Sequence, residues 1–154
     1  MRSKRISAAQ LATLINKSPK RGRYKVSPKE ARTYEGIVFD SKWESETFKL
    51  LSTLLPADVK IHRQINFLLQ EKFKAPNGKA VREITYSADF VITREAELKE
   101  NEIPGDALVI DSKGHLTDIF KLKNKLFMYK YSALIHQVKS AKDVAAVVDL
   151  YKAQ

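Results

Sequence analysis

The sequence contains no cysteine among its 154 residues. Disulfide bonds and thiolate metal sites are therefore excluded, which is compatible with a reducing compartment. No apolar run approaches the roughly 20 residues that a membrane-spanning helix needs. The basic N-terminus lacks the apolar stretch of a secretion signal. Taken together, these absences predict a cytoplasmic protein with no membrane partner.

The composition, in contrast, is that of a folded and strongly basic protein. Hydrophobic residues make up 44% and charged residues 30% of the chain, and the net charge is +10. Nine of the 28 Lys and Arg residues, but only one of the 18 acidic residues, lie within residues 1–30. An arm of this charge suits a polyanion such as nucleic acid, because phosphate neutralisation releases counterions. The alternative is a solubilising tail.

Hydrophobic periodicity predicts an α/β (α+β) protein with a basic N-terminal helix and linker at 1–33 and one domain at 34–154. The core order is helix, three strands, helix, strand, with extra terminal helices. The predicted helices lie at 7–17, between Ser41 and Pro56, at 117–132 and at 140–152. The predicted strands lie at 37–39, 58–70, 81–93 and 133–138, and one more strand ends at Asp111. A hairpin insertion is predicted at 94–106.

Four charged residues stand at strand ends or inside apolar patterns: Glu44, Asp89, Asp111 and Lys113. Burying an unpaired charge costs several kcal/mol, so charges in such places have a partner, a metal or a solvated cleft. Two aspartates at the ends of adjacent strands can hold Mg²⁺, with the backbone carbonyl of Ser112 as a further oxygen ligand. This pattern predicts phosphodiester hydrolysis, in which Lys113 contacts water or a phosphate.

Each of these residues also has a purely structural interpretation. Asp111 and Lys113 point to the same face of a strand and can form a simple salt bridge. Glu44 can complete a capping box with Ser41. Glu46 competes with Glu44 for the helix carboxylate, since residues two apart on a helix point about 200° from one another. Glu44 lies nearer the apolar stripe and is the predicted residue.

The blocks "GIVFDSKWESETFKLL", "ITYSADFVI", "VIDSKG" and "DIFKLKNKLFMYKY" together resemble the PD-(D/E)XK nuclease superfamily. Within it, they resemble the phage endonuclease I-like family of junction-resolving enzymes, over about residues 34–138. The resemblance implies a restriction-endonuclease-like αβββαβ core with a mixed central sheet flanked by helices. It matches Asp89, Asp111, Lys113 and Glu44 to the catalytic positions. No proline precedes Asp89, where the superfamily name would place one.

The resemblance implies a Mg²⁺- or Mn²⁺-dependent DNA endonuclease acting on branched DNA, as a Holliday junction resolvase does. Two symmetric cuts need two active sites, so a homodimer is expected. The candidate metal ligands are Asp89, Asp111, the carbonyl of Ser112 and Glu44, the last through water. The candidate DNA contacts are Arg21, Arg23, Lys25, Lys42, His115, Lys121 and Lys125.

Three alternatives stay open at the level of sequence. The first is a nicking, repair or recombination endonuclease with no preference for junctions. The second is a DNA-binding module that retains the fold without catalysis. The third is a small structural phage protein with a basic tail.

Overall fold

A computed structural model describes residues 26–112 and 117–154. Within these residues the chain forms a mixed α+β domain around a four-stranded sheet in the order β3-β6-β7-β8. The sheet strands are β3 (Lys60–Gln70), β6 (Ile84–Thr93), β7 (Leu108–Asp111) and β8 (Ile135–Gln137). Two small hairpins stand outside this sheet. They consist of β1 (Thr33–Tyr34) with β2 (Ile37–Val38), and β4 (Phe73–Lys74) with β5 (Ala80–Val81).

The central sheet contains both antiparallel and parallel pairs. Strands β3 and β6 are antiparallel, and so are β6 and β7, whereas β7 and β8 are parallel. The parallel pair is connected through a helix, as a parallel crossover requires. This mixed sheet with flanking helices confirms the predicted fold class.

Besides a short 3₁₀ helix at Glu30–Arg32, three α-helices lie within the described residues, and each of the three begins at a hydroxyl N-cap. They are α1 (Lys42–Leu54), α2 (Asp118–Tyr131) and α3 (Ala141–Lys152), capped by Ser41, Thr117 and Ser140. Each cap oxygen accepts a hydrogen bond from the backbone amide three residues later, which satisfies a donor that the helix leaves without a partner. None of these helices has the length and apolar character needed to cross a membrane.

The sheet separates two apolar clusters. On one face, Phe90 and Ile110 pack with residues of α1 and α3, such as Leu51 and Val144. On the other face, Val91 and Val109 pack with Phe127 of α2, among others. Phe90 and Val91 of β6 thus point to opposite faces, as do Val109 and Ile110 of β7. Because helices cover both faces of the sheet, the ends of its strands are the places where polar side chains can face solvent.

The structure corrects one detail of the sequence analysis. The predicted hairpin insertion at 94–106 is wrong, because residues 94–107 connect β6 to β7 through turns and bends without strands of their own. The charged residues of this segment favour solvated turns over a hydrogen-bonded pair of strands. The predicted strand at 81–93 is divided into β5 and β6. The predicted helix at 7–17 lies outside the described residues.

Candidate functional site

A cavity of about 550 Å³ lies between the N-terminal end of α1 and the strands β3 and β6. Its lining includes three acidic residues, Asp40, Glu44 and Asp89, and the polar residues Gln64 and Ser112. Lys139, between β8 and α3, contributes a basic side chain. The cavity therefore brings together acids and a base from three separate parts of the chain.

Glu44 is held in this cavity by the start of α1. Its side chain is only 3% exposed. Ser41 Oγ accepts a hydrogen bond from the Glu44 amide at 3.0 Å, and Glu44 Oε2 accepts one from the Asp40 amide at 3.0 Å. The capping box is thus modified, since the carboxylate binds the residue before the cap.

The second Glu44 oxygen contacts β3. Glu44 Oε1 accepts a hydrogen bond from Gln64 Nε2 at 2.9 Å. Burial and the negative charge of Asp89 raise the pKa of Glu44, while the hydrogen bonds from Gln64 and Asp40 act in the opposite direction. Glu44 and Asp89 are therefore electrostatically coupled acids.

Asp89 interrupts the apolar side of β6 and is 8% exposed. Its Oδ2 accepts two hydrogen bonds from Ser112, one from the backbone amide and one from the hydroxyl, both at 2.7 Å. Phe90 pairs with Ile110 in the β6–β7 register, and the two aspartates are the next residues along their strands, Asp89 before Phe90 and Asp111 after Ile110. The sheet itself thus brings the two predicted aspartates to one place.

Asp111 lies beneath the cavity and does not line it. It is completely buried, and its Oδ2 accepts a hydrogen bond from the Tyr86 hydroxyl at 2.9 Å. Burial and the neighbouring Asp111 carboxylate raise the pKa of Tyr86, so that this hydroxyl stays a donor. The carbonyl of Asp111 accepts a bond from the Val138 amide at 2.9 Å. Both the side chain and the backbone of Asp111 are therefore fixed.

Strand β3 is irregular where it passes the cavity. Its pairing with β6 keeps one register on both sides of Gln64 but omits the pair between Gln64 and Asp89. Gln64 has a φ of 52°, in the left-handed region that residues with a Cβ rarely adopt. The irregularity lies opposite the predicted metal ligand Asp89, and because the register is the same on both sides it adds no residue to the strand.

The loop after β8 closes another side of the cavity. Trp43 of α1 donates its indole N–H to the carbonyl of Val138 at 2.9 Å, and the Val138 amide binds the Asp111 carbonyl. The next residue, Lys139, donates its amide to the Asp143 carboxylate at 2.9 Å. The backbone of Val138 thus connects the loop to both helix α1 and strand β7. These two bonds fix the position of the backbone of Lys139, the next residue.

The structure distinguishes the two candidate helix carboxylates. Glu44 is buried in the cavity, whereas the Glu46 side chain is 49% exposed and lies 3.5 Å from Lys42 Nζ. This geometry favours Glu44 as the site residue. It also shows that Lys42, a predicted DNA contact, is partly neutralised by its neighbour on the helix.

Two other predicted DNA contacts, Lys121 and Lys125, lie on α2 and do not line the cavity. Lys121 Nζ lies 3.0 Å from Asp118 Oδ1 on the exposed side of α2, and Lys125 is exposed on the same helix. The remaining predicted residues lie outside the described ranges, so their placement stays a prediction; they are Lys113, His115, Arg21, Arg23 and Lys25.

Three site residues were missed by the sequence analysis: Gln64, Tyr86 and Lys139. Gln64 stands where the alternation of β3 is imperfect, and that imperfection was the available signal. Tyr86 fits the strand alternation and gives no sign of its bond to Asp111. Lys139 gives no local signal, since only the parallel pairing of β8 with β7 brings its loop to the site.

The predicted metal ligands carry the donor type that a hard divalent cation prefers. Asp89, Asp111 and Glu44 have carboxylate oxygens, and Ser112 has a backbone carbonyl. Across residues 26–112 and 117–154, no group of three or more His, Cys, Asp and Glu side chains is arranged to hold a metal by itself. Mg²⁺ needs no such group, because one or two carboxylates, waters and substrate phosphates usually complete its octahedron.

The fold and the cavity define a mixed α+β domain whose acidic residues meet at one end of its sheet. Residues 23–144 match the model of a family described as "Protein of unknown function (DUF1064)", and the chain belongs to this family. The comparison with curated proteins and the comparison with solved structures gave no match.

Proposed function

We propose that this protein is a Mg²⁺- or Mn²⁺-dependent DNA endonuclease of the PD-(D/E)XK type. The observation that carries the proposal is that Asp89 and Glu44 line one cavity, while Asp111 follows the last β6–β7 pair, next to Asp89. Acidic groups collected at one point of a sheet repel one another, and a divalent cation relieves that repulsion. The order of elements around the site is the one that the sequence resemblance implies.

In this proposal each residue has a distinct task. Asp89 and Asp111 hold the cation, the carbonyl of Ser112 is a further ligand, and Glu44 acts through water. A bound cation would supply Lewis-acid stabilisation of the charge that develops on a phosphate. Lys139 attracts a phosphate to the cavity mouth. The predicted role of Lys113 rests on the sequence alone.

DNA as the polymer is supported by charge. The excess of Lys and Arg in residues 1–30 gives the chain a cationic arm beside a domain whose charges nearly balance. We further propose branched DNA as the substrate and a homodimer as the active form, on the resemblance to junction-resolving enzymes. Light scattering at working concentration should give the mass of two chains.

One observation favours a second candidate, a DNA-binding module without catalysis. Asp111 is completely buried and one of its oxygens is engaged by Tyr86. A buried carboxylate that accepts a hydrogen bond from a tyrosine has a structural role that requires no cation. The two candidates both predict DNA binding, and they differ in cleavage.

The deciding experiment incubates the protein with a labelled four-way junction and a matched linear duplex, in Mg²⁺, Mn²⁺ or EDTA. Cleavage of the junction alone, lost in EDTA, supports the resolvase proposal. Cleavage of both substrates retains the nuclease and removes the junction preference. Salt-sensitive binding of DNA without cleavage in either metal would reject the nuclease and support the DNA-binding module.

Two variants control this experiment. Asp89→Asn keeps the size of the side chain but removes the charge in the cavity, so cleavage should fall by about a hundredfold or more. Asp149→Asn makes the same chemical change on the exposed side of α3 and should cut like wild type. Equal activity of both variants would contradict the proposed site.

A further inference from the structure

The combination of a left-handed backbone and a part-buried hydrogen bond to α1 distinguishes Gln64 from its neighbours on β3. Its φ of 52° is unfavourable for any residue with a Cβ, and glycine would adopt it without cost. Strained conformations of this kind persist only where the surrounding structure holds them, and they cluster at functional sites. The chain nevertheless carries glutamine here.

The side chain of Gln64 explains what the strained backbone achieves. Its Nε2 donates to Glu44 Oε1 at 2.9 Å and so joins β3 to the first turn of α1. With the Asp40 amide on Oε2, each oxygen of the Glu44 carboxylate has one donor. Glu44 and Gln64 both line the cavity with Asp89, the residue that Gln64 would otherwise face in the sheet.

We propose that Gln64 is a positioning residue, whose left-handed backbone aims its amide at Glu44 and so holds that carboxylate in the cavity with Asp89. The inference rests on the proposed function, since it concerns the same site. It adds a residue that touches neither DNA nor cation and acts through Glu44. On this proposal, the unfavourable backbone conformation of Gln64 lowers the stability of the fold but is kept because it positions Glu44.

Two substitutions separate these effects. Gln64→Gly removes the amide and also relieves the backbone, because glycine adopts a positive φ readily. Gln64→Asn keeps an amide and tolerates the left-handed region, but it is one methylene shorter and cannot span the 2.9 Å bond to Glu44. The matched control is Asn66→Gly, two residues along β3, where the strand continues its regular pairing opposite Ser87.

Three quantities are measured for each variant: the melting temperature without metal, the affinity for Mn²⁺ without DNA, and kcat and KM for junction cleavage. Gln64→Gly should melt at or above the wild-type temperature, whereas Asn66→Gly should melt below it. Both Gln64 variants should lose about tenfold in Mn²⁺ affinity and in kcat, with KM for DNA unchanged. Asn66→Gly should keep the wild-type affinity and kcat.

The outcomes separate this inference from the proposed function. A lower melting temperature for Gln64→Gly with unchanged Mn²⁺ affinity would mean that Gln64 serves the strand alone, and the inference fails. If wild type cuts no DNA, the proposed nuclease is rejected, and the Mn²⁺ affinities still decide the role of Gln64. If wild type binds no Mn²⁺ either, both proposals are rejected.

Discussion

The two ends of the β6–β7 pair each hold a buried or half-buried aspartate that accepts a hydrogen bond from a tyrosine. At one end, Tyr86 donates to Asp111 at 2.9 Å. At the other, Tyr151 donates to Asp106 at 2.7 Å. The same pair of residue types therefore occurs twice, once in the candidate site and once about one strand length away.

The surroundings of the two aspartates differ. Asp106 Oδ1 accepts from the Thr93 hydroxyl at 2.6 Å, and Oδ2 also accepts from the Arg94 amide at 2.8 Å. Although burial acts against it, these hydrogen bonds and the one from Tyr151 lower the pKa of Asp106. The Arg94 guanidinium lies 4.0 Å away.

At the candidate site, Glu44 has a second acid beside it. Burial and the charge of Asp89 raise the pKa of Glu44, in the opposite direction to Asp106. The hydrogen bonds from Gln64 and the Asp40 amide oppose this shift without reversing it. The balance of neighbouring charge against hydrogen-bond donors thus separates the structural end, at Asp106, from the candidate functional end, at Glu44.

The largest expected effect compares Asp111→Asn with Asp106→Asn in DNA cleavage. Asp111→Asn should reduce the cleavage rate by about a thousandfold, since loss of a metal ligand removes several kcal/mol of charge stabilisation. Asp106→Asn should cut at the wild-type rate below its melting temperature. Single-turnover rates on the labelled junction measure both, and equal rates would remove the functional difference between the two ends.

The next effect concerns stability. Asp106→Asn replaces an acceptor oxygen by a donor facing Thr93 or Arg94, and should lower the free energy of unfolding by about 1–3 kcal/mol at pH 7. Because the folded pKa of Asp106 is lowered, its contribution is present above the ordinary value near 3.9 and is lost as the pH falls through the folded pKa. Urea unfolding of both proteins from pH 7 to pH 3 should show the difference shrinking. A difference in unfolding free energy that stays constant with pH would contradict the proposal that Asp106 stabilises the fold as a carboxylate.

The tyrosines allow a smaller and closely matched comparison. Tyr86→Phe and Tyr151→Phe each remove one hydroxyl that donates to a carboxylate, and each should cost about 1–2 kcal/mol of unfolding free energy. Only Tyr86→Phe should lower kcat, by about tenfold, because Tyr86 orients a predicted metal ligand. Thermal melts and cleavage kinetics of the pair test this, and a parallel loss of kcat in both variants would point to stability alone.

The smallest effect is expected at the surface of the structural end. Asp58→Asn removes an ion pair in which Asp58 Oδ2 lies 3.0 Å from Arg94 Nε, with side chains 62% and 54% exposed. Exposed pairs contribute less than about 1 kcal/mol and weaken with salt. Melting curves in low and high salt should show a small difference that disappears at high ionic strength. A larger loss would mean that this pair supports Asp106.

The predictable part of the site consists of charges placed where apolar residues are expected. Asp89 and Asp111 interrupt apolar strand patterns, and Glu44 follows Ser41 at capping-box spacing, so local pattern was sufficient to find them. The helices were equally accessible, because each begins at a Ser or Thr and ends near Pro or a polar turn. The fold class followed from the order of these elements.

The residues that escaped prediction depend on contacts between distant parts of the chain. Gln64 adopts a backbone conformation that no propensity indicates, and its bond joins elements 20 residues apart in sequence. Tyr86 resembles any strand tyrosine until β7 brings Asp111 against it. Turn chemistry at 94–107 was mistaken for a hairpin, since charged residues are compatible with both.

Strand β7 lies between two neighbours, β6 and β8, and all four of its residues are buried. Amide hydrogens enclosed in this way exchange with solvent only through openings that approach complete unfolding. Asp111 is the last residue of that strand, and its buried carboxylate and its carbonyl are both hydrogen-bonded, so its position beside Asp89 depends on the strand staying formed. Hydrogen exchange at β7 would therefore report the lifetime of the candidate site and of the whole domain together.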